Sequence, residues 1–199
     1  MIPITPSAFR SLFCADFEPQ AHHFTGPLIA QQLIGEGSVF PEEGRILASF
    51  AAKHAGPVLE IGSDLGISSR YIREGLDRSL TRRFPRLFCV DPFHKWDSQI
   101  YDERIEQFQT TADRFDPPEP CLWAFIDGDH RYKAVTADIR RCLELGIPHL
   151  FFHDTSPIIP PAVSASTGSD ARRAVIDHLS DWTLYDIQTH CGLIYANCH

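Results

Sequence analysis

Positive charge, long apolar runs and paired cysteines are all scarce in this sequence. Its 18 Lys and Arg residues are outnumbered by 26 Asp and Glu residues, which gives a formal net charge of -8. Because proteins that bind nucleic-acid phosphates need clustered basic residues, this balance argues against nucleic-acid partners and favours small molecules. No apolar stretch is long enough to span a membrane. The first residues lack the basic and apolar regions of a secretory signal, so a cytoplasmic location is expected.

The cysteines show no CxxC spacing and stand mostly among apolar residues, which favours buried reduced thiols over disulfides. A metal site at Cys191, Cys198 and His199 is the weaker alternative. With 199 residues, 43% of them hydrophobic, the chain suits one domain with a sizeable core. We assign residues 1–40 to an irregular or partly helical extension or cap, and residues 41–199 to the main domain. The oligomeric state stays open, a homodimer being one alternative.

From residue 41 onward, short apolar runs alternate with amphipathic helical patterns. Strands are predicted over residues 58–61, 87–91, 122–126 and 149–152. The helices are expected from 41 to about 56 and over 68–76, 99–115, the Val135–Leu143 stretch and 170–180. Residues 182–189 and 193–197 are close enough in sequence to form a hairpin. This order predicts an α/β, Rossmann-like doubly wound sheet that ends in an antiparallel hairpin.

Ligands of such sheets bind beyond the carboxyl ends of the strands, and the candidate site residues all fall there. In chain order they are Glu60, Gly62, Ser63, Asp64, Gly66, Ser68, Asp91, Asp127, Asp129, His130, His153 and Asp154. Gly62 and Gly66 permit a sharp turn and close approach of a ligand to a helix N-terminus. The spacing is ExGxxxG rather than the GxGxxG of nicotinamide-binding proteins. A tight turn without a ligand is the alternative, and Asp91 alone could simply end its strand.

Asp127 and Asp154 are expected on neighbouring strands, where two acids can bind a divalent cation or share a proton. His153 could add an imidazole ligand, although acids at these positions could instead cap helices. His130 is a candidate general base, and an ordinary loop histidine is the alternative. The rival histidines are His22, His23, His94 and His153.

Two segments carry a resemblance to a known family: Val58–Gly66, and Ile126–Tyr132 followed by Phe152–Thr155. In them the chain resembles class I S-adenosylmethionine-dependent methyltransferases, especially small-molecule O-methyltransferases and the cephalosporin-hydroxylase-like and macrocin-type enzymes. The resemblance implies S-adenosylmethionine as cofactor, with its methionine part at Glu60, Gly62 and Gly66 and its ribose at Asp91. Further cofactor contacts are expected from Ser63, Asp64, Ser68, Asp127 and Asp129. In metal-dependent relatives the acids at Asp127 and Asp154 are ligands, with His153 or Thr155 here in the neighbouring position, so a magnesium-like ion is a further expectation.

One departure from the family concerns the interval between Asp91 and Leu122, where relatives have a further strand that meets the adenine. A helix is predicted there instead, so this third strand is expected to be missing. Adenine contacts would then come from the 101–115 helix or from Phe93, His94, Lys95 and Trp96. The acceptor pocket is expected to involve residues 1–40 and the loop 156–168.

The resulting prediction is methyl transfer to a small-molecule nucleophile, a hydroxyl oxygen, with metal assistance and with Asp127 and His130 as catalytic residues. One alternative is a degenerate module of the same fold that binds a ligand without catalysis. A metal-dependent hydrolase or hydroxylase using Asp127, His153 and Asp154 is the other.

Overall fold

Strands and helices alternate along the described residues, which are 1–20, 39–78, 85–93, 105–157 and 168–198 of a computed structural model. The strands are β1 Ile2–Ile4, β2 Val58–Ile61, β3 Leu87–Val90, β4 Ile105–Phe108, β5 Trp123–Ile126, β6 His149–Phe152, β7 Thr183–Ile187 and β8 Leu193–Asn197. The helices are α1 Pro6–Phe13, α2 Pro41–Lys53, α3 Ile67–Arg78, α4 Tyr132–Glu144 and α5 Gly168–His178, with a 3-10 turn at Ala112–Arg114.

The strands form a single sheet in the order β1-β7-β8-β6-β5-β2-β3-β4. Every pairing is parallel except those of β8, which runs antiparallel to both β6 and β7. The doubly wound sheet and its C-terminal hairpin are therefore confirmed. Because β3, β2, β5 and β6 are parallel neighbours, their carboxyl ends meet along one edge, where the predicted site residues lie.

The strand between Asp91 and Leu122 is present as β4, so the expectation that it is missing is wrong. β4 pairs in parallel with β3, Leu87 lying opposite Ile105 and Val90 opposite Phe108. The helix predicted over 99–115 is therefore wrong for residues 105–115, while residues 99–104 lie outside the described part. Ile105 and Phe108 are three residues apart, a spacing that also fits a helix. In the strand they instead contribute to hydrophobic clusters on opposite faces of the sheet.

Both faces of the sheet are covered by helices. On one face Leu59 and Ile61 of β2 pack with residues of α4 and α5, and on the other Val58 packs with residues of α1, α2 and α3. These apolar stripes are the helical patterns seen in the sequence, so four of the five helices predicted from residue 41 onward are confirmed. All six cysteines are free, and four of them are buried. Among the described residues, no helix combines the length and hydrophobicity needed to cross a bilayer.

The N-terminal residues take part in the sheet. Ile2 to Ile4 pair in parallel with Tyr185 to Ile187 of β7, and the Thr5 hydroxyl accepts a hydrogen bond from the Ala8 N–H at the start of α1. Phe9 of α1 is fully buried in the same cluster as Phe50 of α2. The division of the chain at residue 40 stays a prediction, but these first residues add a strand and a helix to the domain.

Glu60 of β2 holds the start of α3 from inside the protein. Its fully buried carboxylate accepts hydrogen bonds from the Ser68 and Ser69 hydroxyls and from the Cys89 thiol, 2.9 Å away. Burial raises the pKa of Glu60 to about 7, and the three donors offset only part of that rise. The carboxylate therefore joins β2, β3 and α3, and it costs stability in its charged form.

Glu60 gives the stability a defined pH dependence. Because its pKa is raised on folding, the folded chain binds this proton more tightly, so its contribution is greatest below the unfolded pKa and disappears as pH rises through about 7. Relative to Glu60→Gln, the free energy of unfolding of the wild type should fall by about 3 kcal/mol between pH 4.5 and pH 7.5. Urea unfolding of both proteins across that range measures the difference. A difference that does not change with pH contradicts the assignment.

Candidate active site

The loop between β2 and α3 is built from left-handed backbone conformations. Gly62, Asp64 and Gly66 have φ values of 84°, 41° and 80°. The Gly62 N–H donates to Val90 O and the Gly66 N–H to Ser63 O, which folds the loop over the ends of β2 and β3. A Cβ atom on Gly62 would lie 2.5 Å from the carbonyl oxygen of Asp127. Glycine is thus required at position 62 because the loop packs directly on the β5 end that carries Asp127.

Asp91 stands at the end of β3 and ties the loop to it. Its carboxylate accepts the Asp64 N–H at 3.0 Å and the Phe93 N–H at 2.7 Å. An ionised carboxylate has about four acceptor positions, and contacts with the described residues fill two of them. The Asp91 N–H donates to Phe108 O, so the turn after β4 adjoins this carboxylate, and Phe93 next to it is largely exposed.

Four side chains from the ends of β5 and β6 meet at this edge. His153 Nδ1 lies 2.9 Å from Asp127 Oδ1 and 3.5 Å from Asp154 Oδ1. His130 Nε2 lies 3.3 Å from Asp154 Oδ2 and 3.8 Å from Asp127 Oδ1. The side chains of Asp127, His130 and Asp154 are between 15 and 20% exposed, whereas that of His153 is 1% exposed. The two acids and the two histidines therefore form one cluster, in which His153 is buried and the other three side chains are partly exposed.

A fifth member of the cluster, Glu43, comes from the first turn of α2. Its Oε2 lies 3.0 Å from His153 Nε2, and its side chain is fully buried. Glu43 is not among the candidate site residues predicted from the sequence. A signal was available: Glu43 lies three, four and seven residues before Ile46, Leu47 and Phe50, so it shares their buried face.

His153 is thus held between two carboxylates. Burial disfavours a charged ring, but the charges and hydrogen bonds of Asp127 and Glu43 outweigh it and raise the pKa of His153 well above its usual value. Burial on its own would raise the pKa of the Glu43 carboxyl. The charge and hydrogen bond of His153 outweigh burial, so this pKa is lowered. Burial raises the pKa of Asp127, and the nearby His153 and His130 offset part of this rise. The arrangement corresponds to an imidazolium bridging two acids.

The remaining predicted residues divide between the edge and the interior. Glu60, Ser63 and Ser68 are buried, so Glu60 contacts protein groups rather than the open edge. Asp129 is at the edge, where its carboxylate pairs with the Arg131 guanidinium, and this pairing lowers its pKa. The predicted residues outside the described part are His22, His23, His94, Lys95, Trp96 and His199.

The donor set at this edge can be tested against a metal ion. One oxygen or nitrogen from each of Asp127, His153 and Asp154 lies within 4.8 Å of the others. A metal-bound imidazole, however, offers an unprotonated nitrogen. Both His153 nitrogens face carboxylate oxygens at 2.9 and 3.0 Å and need protons to bond them. His153 therefore fits a metal poorly in this arrangement, so of the three predicted ligands the two acids remain.

Comparison with known proteins agrees with the fold. A methyltransferase domain family matches residues 59–155. The structure of an O-methyltransferase from Bacillus cereus with SAH is 15% identical to this chain, with a TM-score of 0.65. The match covers 97% of this chain and 96% of that chain. The O-methyltransferase TomG from Streptomyces achromogenes with SAM is 20% identical, with a TM-score of 0.64. The match covers 96% of this chain and 94% of that chain.

A third solved structure is the MycE methyltransferase of mycinamycin biosynthesis, in complex with Mg and SAH. It is 14% identical, with a TM-score of 0.58, and the match covers 91% of this chain and 55% of that chain. No curated protein matches the sequence. The family match spans β2 to the end of β6, which are the elements that supply the edge described above. Residues 59–155 therefore match a methyltransferase domain family, and the chain shares the fold of these solved methyltransferases.

Proposed function

We propose that this protein transfers a methyl group from S-adenosylmethionine to the hydroxyl oxygen of a small molecule. The observation that carries the proposal is the packing of the Gly62 loop on the backbone of Asp127. It places a loop suited to the cofactor against a cluster of acids and imidazoles suited to proton transfer. The negative net charge also favours a small acceptor over a nucleic acid.

The residues at the edge fit the parts of the cofactor. Asp91 has acceptor positions for the ribose hydroxyls. The start of α3 follows Gly66, and the positive end of a helix favours the carboxylate of the methionine part. The turn after β4 and the exposed ring of Phe93 offer the adenine a surface beside Asp91. Glu60 would act through Ser68 and Ser69 rather than by touching the cofactor.

When bound, the cofactor would supply a methyl carbon that the acceptor oxygen attacks in line, while the bond from this carbon to the positively charged sulfur breaks and S-adenosylhomocysteine leaves. We assign His130 as the base that takes the proton of the acceptor hydroxyl. Its Nε2 faces the carboxylates of Asp154 and Asp127, so Nδ1 is the nitrogen assigned to receive the proton. The same carboxylates would stabilise the imidazolium that forms. Holding acceptor and cofactor in this geometry supplies most of the remaining rate enhancement.

We infer that the transfer does not depend on a divalent cation. The support is the engagement of both His153 nitrogens by carboxylates, which leaves the predicted set of Asp127, His153 and Asp154 short of one ligand. The MycE structure is a complex with magnesium, but MycE is only 14% identical to this chain. This geometry argues against the metal site that the sequence predicts.

Cofactor binding can be measured without knowing the acceptor. We expect isothermal titration to detect S-adenosylmethionine binding, and Asp91→Asn to weaken it about tenfold to a hundredfold because a charged acceptor of the ribose hydroxyls is lost. Asp181→Asn, which changes an exposed acid, serves as the matched control and should bind like the wild type. Absence of binding by the wild type would rule out the proposed function.

His130 should affect turnover rather than cofactor affinity. With an acceptor found in a panel of phenols, sugars and other hydroxyl compounds, His130→Ala should lower kcat about a hundredfold or more. Its S-adenosylmethionine affinity should stay within about twofold of the wild type. Release of S-adenosylhomocysteine measures the rate. Full activity of the variant would remove His130 from the mechanism, and cofactor binding without turnover of any acceptor would favour the degenerate module.

Metal removal tests the cation inference. After dialysis against EDTA, methyl transfer should remain within about twofold of the untreated protein, since the described imidazolium bridge needs no cation. Elemental analysis of the dialysed sample provides the control for complete removal. Loss of activity that Mg²⁺ restores would contradict the inference and return Asp127 and Asp154 to the role of ligands.

A further inference from the structure

The backbone of Thr155, the residue after Asp154, is hydrogen-bonded at both of its polar groups. Its N–H donates to Gly192 O at 3.2 Å, in the connection between β7 and β8. Its carbonyl oxygen accepts a hydrogen bond from Arg172 Nη1 of α5 at 3.2 Å. Two parts of the chain that follow β6 therefore hold the peptide next to Asp154.

Asp186 of β7 fixes the plane of the Arg172 guanidinium. Arg172 Nη1 donates to Asp186 Oδ1 at 3.0 Å and Nη2 donates to Asp186 Oδ2 at 2.7 Å, and both side chains are partly buried. A bidentate pair of this kind orients the guanidinium as well as binding it. Because Nη1 carries two protons, its second N–H is directed to Thr155 O.

Asp154 has a backbone conformation that requires such support. Its φ is 52°, which few non-glycine residues adopt and which persists only where the surrounding contacts hold it. In this conformation Asp154 Oδ2 lies 3.3 Å from Nε2 of His130, the residue assigned above as the base. A relaxed backbone at Asp154 would change the direction of its side chain and so lengthen this contact.

We propose that Arg172 is a positioning residue, which keeps the Asp154 carboxylate against His130. Paired with Asp186, Arg172 holds the carbonyl of Thr155, and this contact fixes the backbone from which the Asp154 side chain extends. Arg172 thus acts through the backbone rather than through contact with the reacting groups. The role rests on the proposed methyl transfer, in which His130 is the base.

The contacts of the β7–β8 connection do not replace this role. A Cβ atom on Gly192 would lie 2.1 Å from Ser156 N, and Cys191 O accepts the Ser156 N–H at 2.9 Å. These contacts hold N–H groups, whereas the Thr155 carbonyl needs a donor, which Arg172 supplies. Stability alone is also a weak reason for the ion pair, because apolar side chains of similar size often stabilise a partly buried position as well.

The kinetic test compares Arg172→Gln with Arg86→Gln. Arg86 makes a similar two-bond pair with Glu106 at the amino ends of β3 and β4, which is the opposite edge of the sheet. With an acceptor from the hydroxyl panel, Arg172→Gln should lower kcat about tenfold to a hundredfold, because displacement of Asp154 misplaces His130. The acceptor KM and the S-adenosylmethionine Kd should stay within about twofold. Arg86→Gln should keep the kcat of the wild type.

Variants of the pair test whether Arg172 and Asp186 act together. Arg172→Lys keeps the charge but not the planar fork, so its kcat should lie between those of Arg172→Gln and the wild type. Asp186→Asn should also lower kcat, and the double variant with Arg172→Gln should be no slower than Arg172→Gln alone. A double variant whose loss is the product of the two single losses contradicts a shared role. Thermal unfolding shows which variants are folded, and Arg172→Lys and Asp186→Asn provide the test if Arg172→Gln is not.

Hydrogen exchange at the Thr155 amide needs no acceptor. In the full chain, NMR should show this amide exchanging about tenfold faster or more in Arg172→Gln than in the wild type, because Thr155 loses one of its two backbone contacts. Arg86→Gln should leave the exchange rate of this amide unchanged.

The outcomes separate this role from the proposed function. Failure of the wild type to bind S-adenosylmethionine contradicts the proposed function itself. If binding is retained, an unchanged exchange rate of the Thr155 amide in Arg172→Gln shows that Arg172 does not hold this peptide and overturns the role. An unchanged kcat in Arg172→Gln, or an equal fall in Arg86→Gln, overturns it as well.

Discussion

The contact of His153 with Asp127 on one side and Glu43 on the other is the interaction on which the site depends. Each of these charges would be costly to bury alone, and together they are paired and hydrogen-bonded. Removing one partner leaves the charges of the others buried without compensation, so each of the three residues depends on the other two. They also join α2, β5 and β6, the elements that bring the edge together.

Sheet topology brings chemically reactive residues of distant sequence segments to this unit. β5 lies between β2 and β6, so the acids that follow β5 and β6 meet, and the Gly62 loop that follows β2 packs against them. Asp91, one strand further, is hydrogen-bonded to the same loop. β4 then adjoins Asp91 on the side of the edge where we propose that the cofactor binds.

Sequence periodicity was sufficient for β3, β5 and β6 because each is a short apolar run that is directly followed by an acid or a histidine. It failed at β4, where two apolar residues three positions apart fit either a helix face or opposite faces of a strand. Only the pairing with β3 distinguishes the two, and pairing is a tertiary property. Chain order likewise predicts which residues lie at the carboxyl edge of the sheet, but it does not predict which side chains they contact. Nothing local indicates that His153 faces Glu43, 110 residues away, or that Glu60 faces Ser68 and Ser69 rather than the edge.

The most direct test of the account is a crystal structure of the protein with S-adenosylhomocysteine. The account places the ribose hydroxyls within hydrogen-bond distance of Asp91 and the sulfur on the side of Asp127 and His130, with His153 still bridging Asp127 and Glu43. A ligand bound elsewhere, or a His153 ring that has left Glu43 to coordinate a metal ion with Asp127 and Asp154, would contradict it.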